Sequence, residues 1–324
     1  MPSVFVSRKI PDSGLKMLAG KFDVTVSKKD GVLSKKELIK GLKGKDALLC
    51  LLTDKIDADV MDASPGLKII SNYAVGVDNV AVPEATKRRI MVTNTPGVLT
   101  DTVAEHAIAL MFAIARRIPE SDQFTKKGKY KGWAPMLLLG ADLKGKTLGI
   151  VGLGRIGTAV AQRAVKGMGM NVLYYDVQRN PDFEKEFGAV YMGTDDIFRK
   201  SDFISIHVPL LPATKHLVGY KQLLMMKKTA YLINTSRGPI IDEKALVKAL
   251  REKIIAGAAL DVFENEPKLA PGLAKLSNAV LTPHTASATI ETRSRMAELA
   301  AQAIIDCFSG KIPQNILNRE VAGK

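Results

Sequence analysis

Cysteine is nearly absent from this chain of 324 residues, which holds only Cys50 and Cys307. The two stand far apart in apolar or helical patterns, with no CxxC and no Cys/His cluster beside either. A disulfide framework and a structural zinc site are therefore excluded, no metal is expected, and each cysteine reads as a small buried hydrophobe. Long apolar runs are also missing. The longest, such as AIALMFAIA, fall far short of the roughly 20 residues that cross a bilayer, and the opening MPSVFVSRKI has no apolar leader segment. A cytoplasmic protein with no membrane partner is the expectation. Aromatic residues make up only 6% of the chain, with Trp133 the single tryptophan. That scarcity bears on the charge. Lys and Arg outnumber Asp and Glu by 47 to 33, a formal net charge of +14, yet the cations are scattered over helix faces and loops without aromatic-basic alternation. No nucleic-acid partner is expected, and a positive field also suits small anionic ligands.

What the chain does contain is regular alternation. Its length exceeds what one ordinary core supports, and 46% hydrophobic with 25% charged residues is a globular composition, so two domains are expected. Through the first hundred residues, SVFVS, DVTVS, DALLCLL, LKIISNY and IMVTN read as strands separated by helical stretches. In SKKELIKGLKG, Ser34 and Glu37 are spaced as a capping box. This is a βαβ pattern, hence a parallel sheet. A long apolar helix, TDTVAEHAIALMFAIARR, follows. Residues 118–146 then lack regular periodicity, and a loop of that length inside a folded domain points to a functional or subunit contact. A second alternating series runs through TLGIVGLGRIG, NVLYYD, DFISIHV, TAYLINT, AGAALDV and AVLTP. The final amphipathic helix, IETRSRMAELAAQAIIDCFSG, has no strand after it and fits beneath either sheet.

TLGIVGLGRIG sets Gly152, Gly154 and Gly157 in GxGxxG spacing between a strand and a helix. The first glycine permits the turn, the second admits a pyrophosphate to the backbone, and the third lets helix and strand pack closely. The helix N-terminus then faces the phosphates. Asp176, 19 residues after Gly157, ends the next strand where a carboxylate accepts from adenosine ribose hydroxyls and repels a 2′-phosphate. NAD is favoured on that ground, and Arg179 nearby keeps NADP open.

Three later stretches, INTSRGPIID, ALDVFENEP and LTPHTASA, fall at strand ends, where ligands bind in open α/β sheets. They supply Arg237, Glu266 and His284. A guanidinium fork suits a carboxylate, an imidazole exchanges a proton with a carbonyl or alcohol oxygen, and a carboxylate can hold and bias the imidazole. Taken singly, each has a plainer reading: a surface ion pair, a helix-start acid, a loop-filling histidine.

These stretches, with NYAVGVDN, NTPGVLTDT and GIVGLGRIG, resemble the D-isomer-specific 2-hydroxyacid dehydrogenases, most closely their glyoxylate/hydroxypyruvate reductase branch, over essentially the whole chain. The resemblance implies an α/β fold of two doubly wound parallel-sheet domains, Rossmann-like and flavodoxin-like. A cofactor domain at 101–284 would be inserted in a substrate domain of 1–100 and 285–324, with a homodimer built on a loop at about 118–145. It implies NAD(P)H-dependent reduction of a small anionic 2-keto acid. By it, Arg237 binds the substrate carboxylate and polarises the keto oxygen, His284 is the general acid, Glu266 favours the charged imidazole, and Asp261 holds the nicotinamide carboxamide. The remaining implied cofactor contacts are Thr102, Arg155, Ile156, Pro209, Thr214, Thr235 and Ser236. On the substrate side they are Leu52, the backbone of Val75 and Gly76, and Ser287. The chain departs from the family in reading HTASAT where relatives read HIGSAT, which places Thr285 and Ala286 in question beside the nicotinamide, and in having Ala81 where an acid is common. Three rivals remain. Phosphoglycerate dehydrogenases often carry C-terminal regulatory extensions, for which this chain leaves no room, and phosphite dehydrogenase has a lysine at the place of Val75. NAD-binding corepressor scaffolds share the fold and triad but usually bear disordered extensions.

Overall fold

Among the described residues, every pairing between two strands of the sheets is parallel, so each strand must be followed by a crossover long enough to return the chain, and helices fill that role. The computed structural model describes residues 1–322 and divides into two units. One is Met1–Leu99 together with the chain from Ala288 on; the other is Thr100–Ser287. Among the described residues no helix is long and apolar enough to cross a membrane.

The first unit contains β1 (Ser3–Val6), β2 (Asp23–Val26), β3 (Ala47–Leu51), β4 (Ile69–Tyr73) and β5 (Met91–Thr93), in the order β2-β1-β3-β4-β5. That is the flavodoxin-like order, whose switch point lies between β1 and β3. The central strand β4 is buried throughout whereas the edge strand β2 is half exposed, as covering helices on both faces require. The helix Lys35–Leu42 starts at the anticipated box: the Ser34 hydroxyl accepts from the Glu37 amide at 3.3 Å, and the Glu37 carboxylate accepts from the Ser34 amide at 2.7 Å. The last helix, Ile290–Phe308, packs on the helix Asp12–Leu18 and on β4, which assigns it to this unit. Gly14 makes that packing close, since a Cβ there would stand 2.6 Å from the Ala297 carbonyl oxygen. Cys50 is buried as expected, but Cys307, near the end of this helix, is only partly so.

The second unit contains β6 (Thr147–Val151), β7 (Asn171–Tyr175), β8 (Val190–Tyr191), β9 (Phe203–Ile206), β10 (Tyr231–Asn234), β11 (Gly257–Leu260) and β12 (Ala279–Leu281). Their order, β12-β11-β10-β9-β6-β7-β8, reverses between β6 and β9, the switch point of a Rossmann sheet. The helix Thr100–Ala115 lays Val103, Ala104, Ala107, Leu110, Met111 and Ile114 against this sheet and the helix Arg155–Met168. Two elements differ from the sequence reading. A helix at Ile118–Lys126 occupies the start of the segment read as irregular; Pro119 and Glu120 suit its first turn, but none of its residues is buried, so it has no apolar period. The edge strand β8 has two residues, too few to show alternation.

Candidate active site

At the switch point the three glycines meet three different constraints. Gly152 has φ +98°, and a Cβ on it would stand 2.8 Å from the His207 carbonyl carbon. A Cβ on Gly157 would run into the Gly152 carbonyl, whereas Gly154 faces open space. Strand turn, close packing and a cradle bare enough for a pyrophosphate are thus all present. The helix Arg155–Met168 begins here, with Gly154 as its N-cap, Arg155 exposed and Ile156 half-buried. Asp176, just past β7, accepts the Leu153 amide at 2.6 Å through one oxygen, and its other oxygen has only a long 3.4 Å contact from the Gln178 amide. That second oxygen keeps capacity for a ribose hydroxyl. Arg179, which kept NADP open, is bound through both arms of its fork by Glu184 at 2.8 and 2.7 Å.

Beyond β9, Thr214 Oγ1 donates to the Pro209 carbonyl at 2.6 Å and accepts the Leu211 amide, giving that exposed loop a fixed turn. His207, at the strand end, is held neutral by burial, its pKa lowered to about 4, and pairs with Ser205 at 2.8 Å. Past β10, Thr235 is buried with its hydroxyl unpartnered, and the Ser236 hydroxyl donates to the Val208 carbonyl. A buried orphan hydroxyl at one strand end and a bare glycine loop at another end of the same sheet fit a dinucleotide. Arg237 follows, partly buried, with Nη1 donating to the Ser236 carbonyl at 2.8 Å. Thr102 and Ser287 are partly buried.

The decisive geometry follows β11 and β12. His284 has φ +54°, a left-handed conformation that is costly for a residue with a Cβ and persists only when its surroundings impose it. Asp261 imposes it. Its carbonyl accepts the His284 amide at 2.8 Å, and its carboxylate accepts the Thr285 and Ala286 amides, both at 2.8 Å, and the Thr282 hydroxyl at 2.6 Å. Burial works against the charge of the Asp261 carboxyl, but its hydrogen bonds outweigh that and hold it below its ordinary range. The carboxylate has no exposed surface, and it anchors the turn that carries His284. With the turn fixed, His284 Nδ1 lies 3.0 Å from Glu266 Oε2, while Glu266 Oε1 accepts the Phe263 amide at 3.0 Å. Nε2 faces the other way across the ring.

A strand-end histidine backed by a carboxylate, a strand-end arginine in the same sheet and a glycine cradle agree with what is found among known proteins. The pattern described as "D-isomer specific 2-hydroxyacid dehydrogenase, NAD binding domain" matches residues 108–286. This chain belongs to the D-isomer-specific 2-hydroxyacid dehydrogenases. The glyoxylate reductase of Korarchaeum cryptofilum is 54% identical over 99% of this chain and 97% of its own, and that of Thermofilum pendens is 54% identical over 99% and 95%. Among solved structures, the TT0316 protein of Thermus thermophilus superposes with a TM-score of 0.91 at 42% identity, covering 97% of this chain and 99% of its own. An NADPH-dependent glyoxylate/hydroxypyruvate reductase from Sinorhizobium meliloti, solved with NADP and malonate, gives 0.87 at 32% identity, covering 100% and 98%.

In this 2-hydroxyacid dehydrogenase the neighbouring acid, Glu264, is committed elsewhere: it binds His216 at 2.7 Å. Its amide donates to the Glu243 carboxylate at 2.6 Å, and burial raises the Glu243 pKa. ENEP therefore divides: Glu264 turns to His216 and Glu243, and Glu266 to His284. Sequence reading passed over His106, whose Nε2 lies 3.1 Å from the Thr282 hydroxyl and 3.4 Å from Asp261 Oδ1. A single histidine on an apolar helix carried no signal of that contact. In the first unit, Leu52, Val75 and Gly76 lie on the loops after β3 and β4, all partly exposed.

Proposed function

We propose that this enzyme reduces glyoxylate to glycolate and hydroxypyruvate to D-glycerate, preferring NADH and accepting NADPH less well. The observation that carries the reading is the His284–Glu266 pair, 3.0 Å apart and set on a turn held by a buried carboxylate, in a chain 54% identical to glyoxylate reductases. A nicotinamide dinucleotide held in this cradle would supply a hydride to the keto carbon. As the carbonyl π electrons move onto oxygen, His284 Nε2 delivers the proton that completes the alcohol, and Glu266 stabilises the imidazolium before transfer. Arg237 offers its fork to the substrate carboxylate and its charge to the developing alkoxide. In the first unit, the backbone at Val75 and Gly76 binds a carboxylate, with Leu52 as an apolar edge. Asp176 receives the adenosine ribose, and Gly152, Gly154, Arg155, Ile156 and Gly157 receive the pyrophosphate. Thr102, Pro209, Thr214, Thr235, Ser236 and Asp261 line or support the cofactor site, and Ser287 belongs with the substrate contacts.

Two further parts of the reading rest on surface chemistry. Trp133, Met136, Leu139, Tyr130 and Ile118 are all more than half exposed within one stretch of the second unit. So much apolar surface on residues 118–139 supports a homodimer through this face. Two free cysteines are consistent with work in the reducing cytoplasm. The deciding experiment follows NADH oxidation with glyoxylate, hydroxypyruvate and pyruvate. Turnover with the first two supports the reading; NADH binding with no turnover of any keto acid would replace it with a corepressor-like scaffold.

A further inference from the structure

Two asparagines of the first unit form an arrangement that the reading above does not use. Asn72, on β4, has no exposed surface, although the strand it lies on is largely apolar. Its Nδ2 donates to Asn79 Oδ1 at 3.1 Å, and Asn79 Nδ2 donates back to Asn72 Oδ1 at 3.2 Å, closing a ring of two amides. The buried Cys50 thiol also lies 3.4 Å from Asn72 Oδ1. Asn72 Nδ2 further donates to the Gly76 carbonyl at 2.9 Å, and Asn79 Nδ2 is shared between the Leu51 and Asp54 carbonyls at 3.0 and 3.1 Å. Backbone acceptors facing both nitrogens fix the two amide orientations. The loop after β4 is thereby joined to the loop after β3. Asp54, itself buried, extends the join by accepting the Leu51 amide at 2.8 Å and the Ser7 hydroxyl beyond β1. From the residue after β5, Asn94 Nδ2 donates to the Val75 carbonyl at 2.8 Å.

The consequence lies on the opposite side of the turn. Every peptide here is trans, so each N–H points away from the carbonyl of its own peptide plane. Asn94 draws the Val75 carbonyl inward and Asn72 draws in the Gly76 carbonyl. The Gly76 and Val77 amides must then face outward, on residues that are partly exposed. Successive outward N–H groups make an anion-binding concavity. We propose that Asn72, Asn79 and Asn94 are positioning residues that hold this turn in its carboxylate-binding form. A fully satisfied buried network is stiff, and stiffness is what an oriented pair of donors needs. The proposal rests on the reading of the Val75–Gly76 backbone as carboxylate-binding, with the Gly76 amide common to both, and it adds the reason that the turn is in its binding form before any substrate arrives.

The test uses the full-length enzyme with Asn79→Ala, Asn72→Ser, Asn94→Ala and the Asn72→Ser/Asn79→Ala double variant. KM and kcat are measured for glyoxylate, the Kd of oxalate as a carboxylate that cannot be reduced, and the Kd of NADH by fluorescence. Each single variant is expected to raise KM and the oxalate Kd by about tenfold or more, the scale of a hydrogen bond to a charged group. kcat should fall less and the NADH Kd should not move. Because either loss opens the amide ring, the double variant should cost no more than the worse single one. Should Asn79→Ala fail to fold, Asn94→Ala, which removes one bond outside the ring, carries the same expectation. Unchanged KM and oxalate Kd in Asn94→Ala and Asn72→Ser, or NADH binding lost in parallel, would overturn the positioning role alone. A wild type that binds NADH yet neither turns over glyoxylate nor binds oxalate would remove the functional reading and this proposal with it.

Discussion

Arg237 shows what one residue contributes when geometry and charge coincide. It follows β10, next in the sheet to the strand that leads into Asp261, and its Nη1 is steadied by the Ser236 carbonyl. Arg237→Ala is expected to lower kcat/KM for glyoxylate by at least about a hundredfold, since the carboxylate anchor and a positive charge beside the forming alkoxide vanish together. Arg237→Lys should recover only part, because a point charge does not reproduce the fork. Wild-type kcat/KM in the alanine variant would place the residue outside the site. Asp176 is the corresponding case for the cofactor. Asp176→Ala removes a ribose acceptor and the charge that repels a 2′-phosphate, so the NADH Kd should rise while the NADPH Kd falls; a wild type that already binds NADPH more tightly contradicts the assignment.

Among the elements, the strand–glycine–helix passage from β6 into Arg155–Met168 was legible because its constraints are steric and local. Gly157 cannot carry a Cβ without meeting the Gly152 carbonyl, and that demand is written in the spacing. Gly157→Ala is accordingly expected to destabilise the second unit by about 1–3 kcal/mol and to weaken NADH binding, read by thermal unfolding with and without NADH. An unchanged melting temperature would show that the helix yields without cost. The same logic explains what stayed hidden. The helix Ile118–Lys126 buries nothing and so leaves no period. Asn72 and Asn79 lie seven residues apart on a strand and a loop, and no spacing rule links two amides that meet only after β3 and β4 have paired. His106 gives no signal in the sequence, and only the fold brings Thr282 and Asp261 to it. Strand ends announce Arg237, Glu266 and His284; only the folded turn shows that Asp261 holds His284 in place and that Glu264 goes to His216 instead.

By the proposed function, the two units of parallel sheet contribute different chemistry, the first an oriented backbone turn and the second a dinucleotide cradle with an acid–base pair, and the exposed apolar stretch around Trp133 serves assembly. Replacing Trp133 and Met136 together by Glu is expected to shift the enzyme from twice the chain mass toward the monomer in sedimentation, because two charges would be buried at the proposed interface; a wild type that sediments as a monomer removes the dimer. By the proposed function, activity depends most directly on the His284–Glu266 pair. Keto-acid reduction consumes a proton that His284 delivers, and Glu266 holds its ring from 3.0 Å. Glu266→Gln keeps a group of similar shape without the charge. The most direct measurement is kcat/KM for glyoxylate reduction in the wild type, Glu266→Gln and His284→Ala. A value lowered in Glu266→Gln yet far above that of His284→Ala is the predicted result; wild-type kcat/KM in either variant would contradict the account.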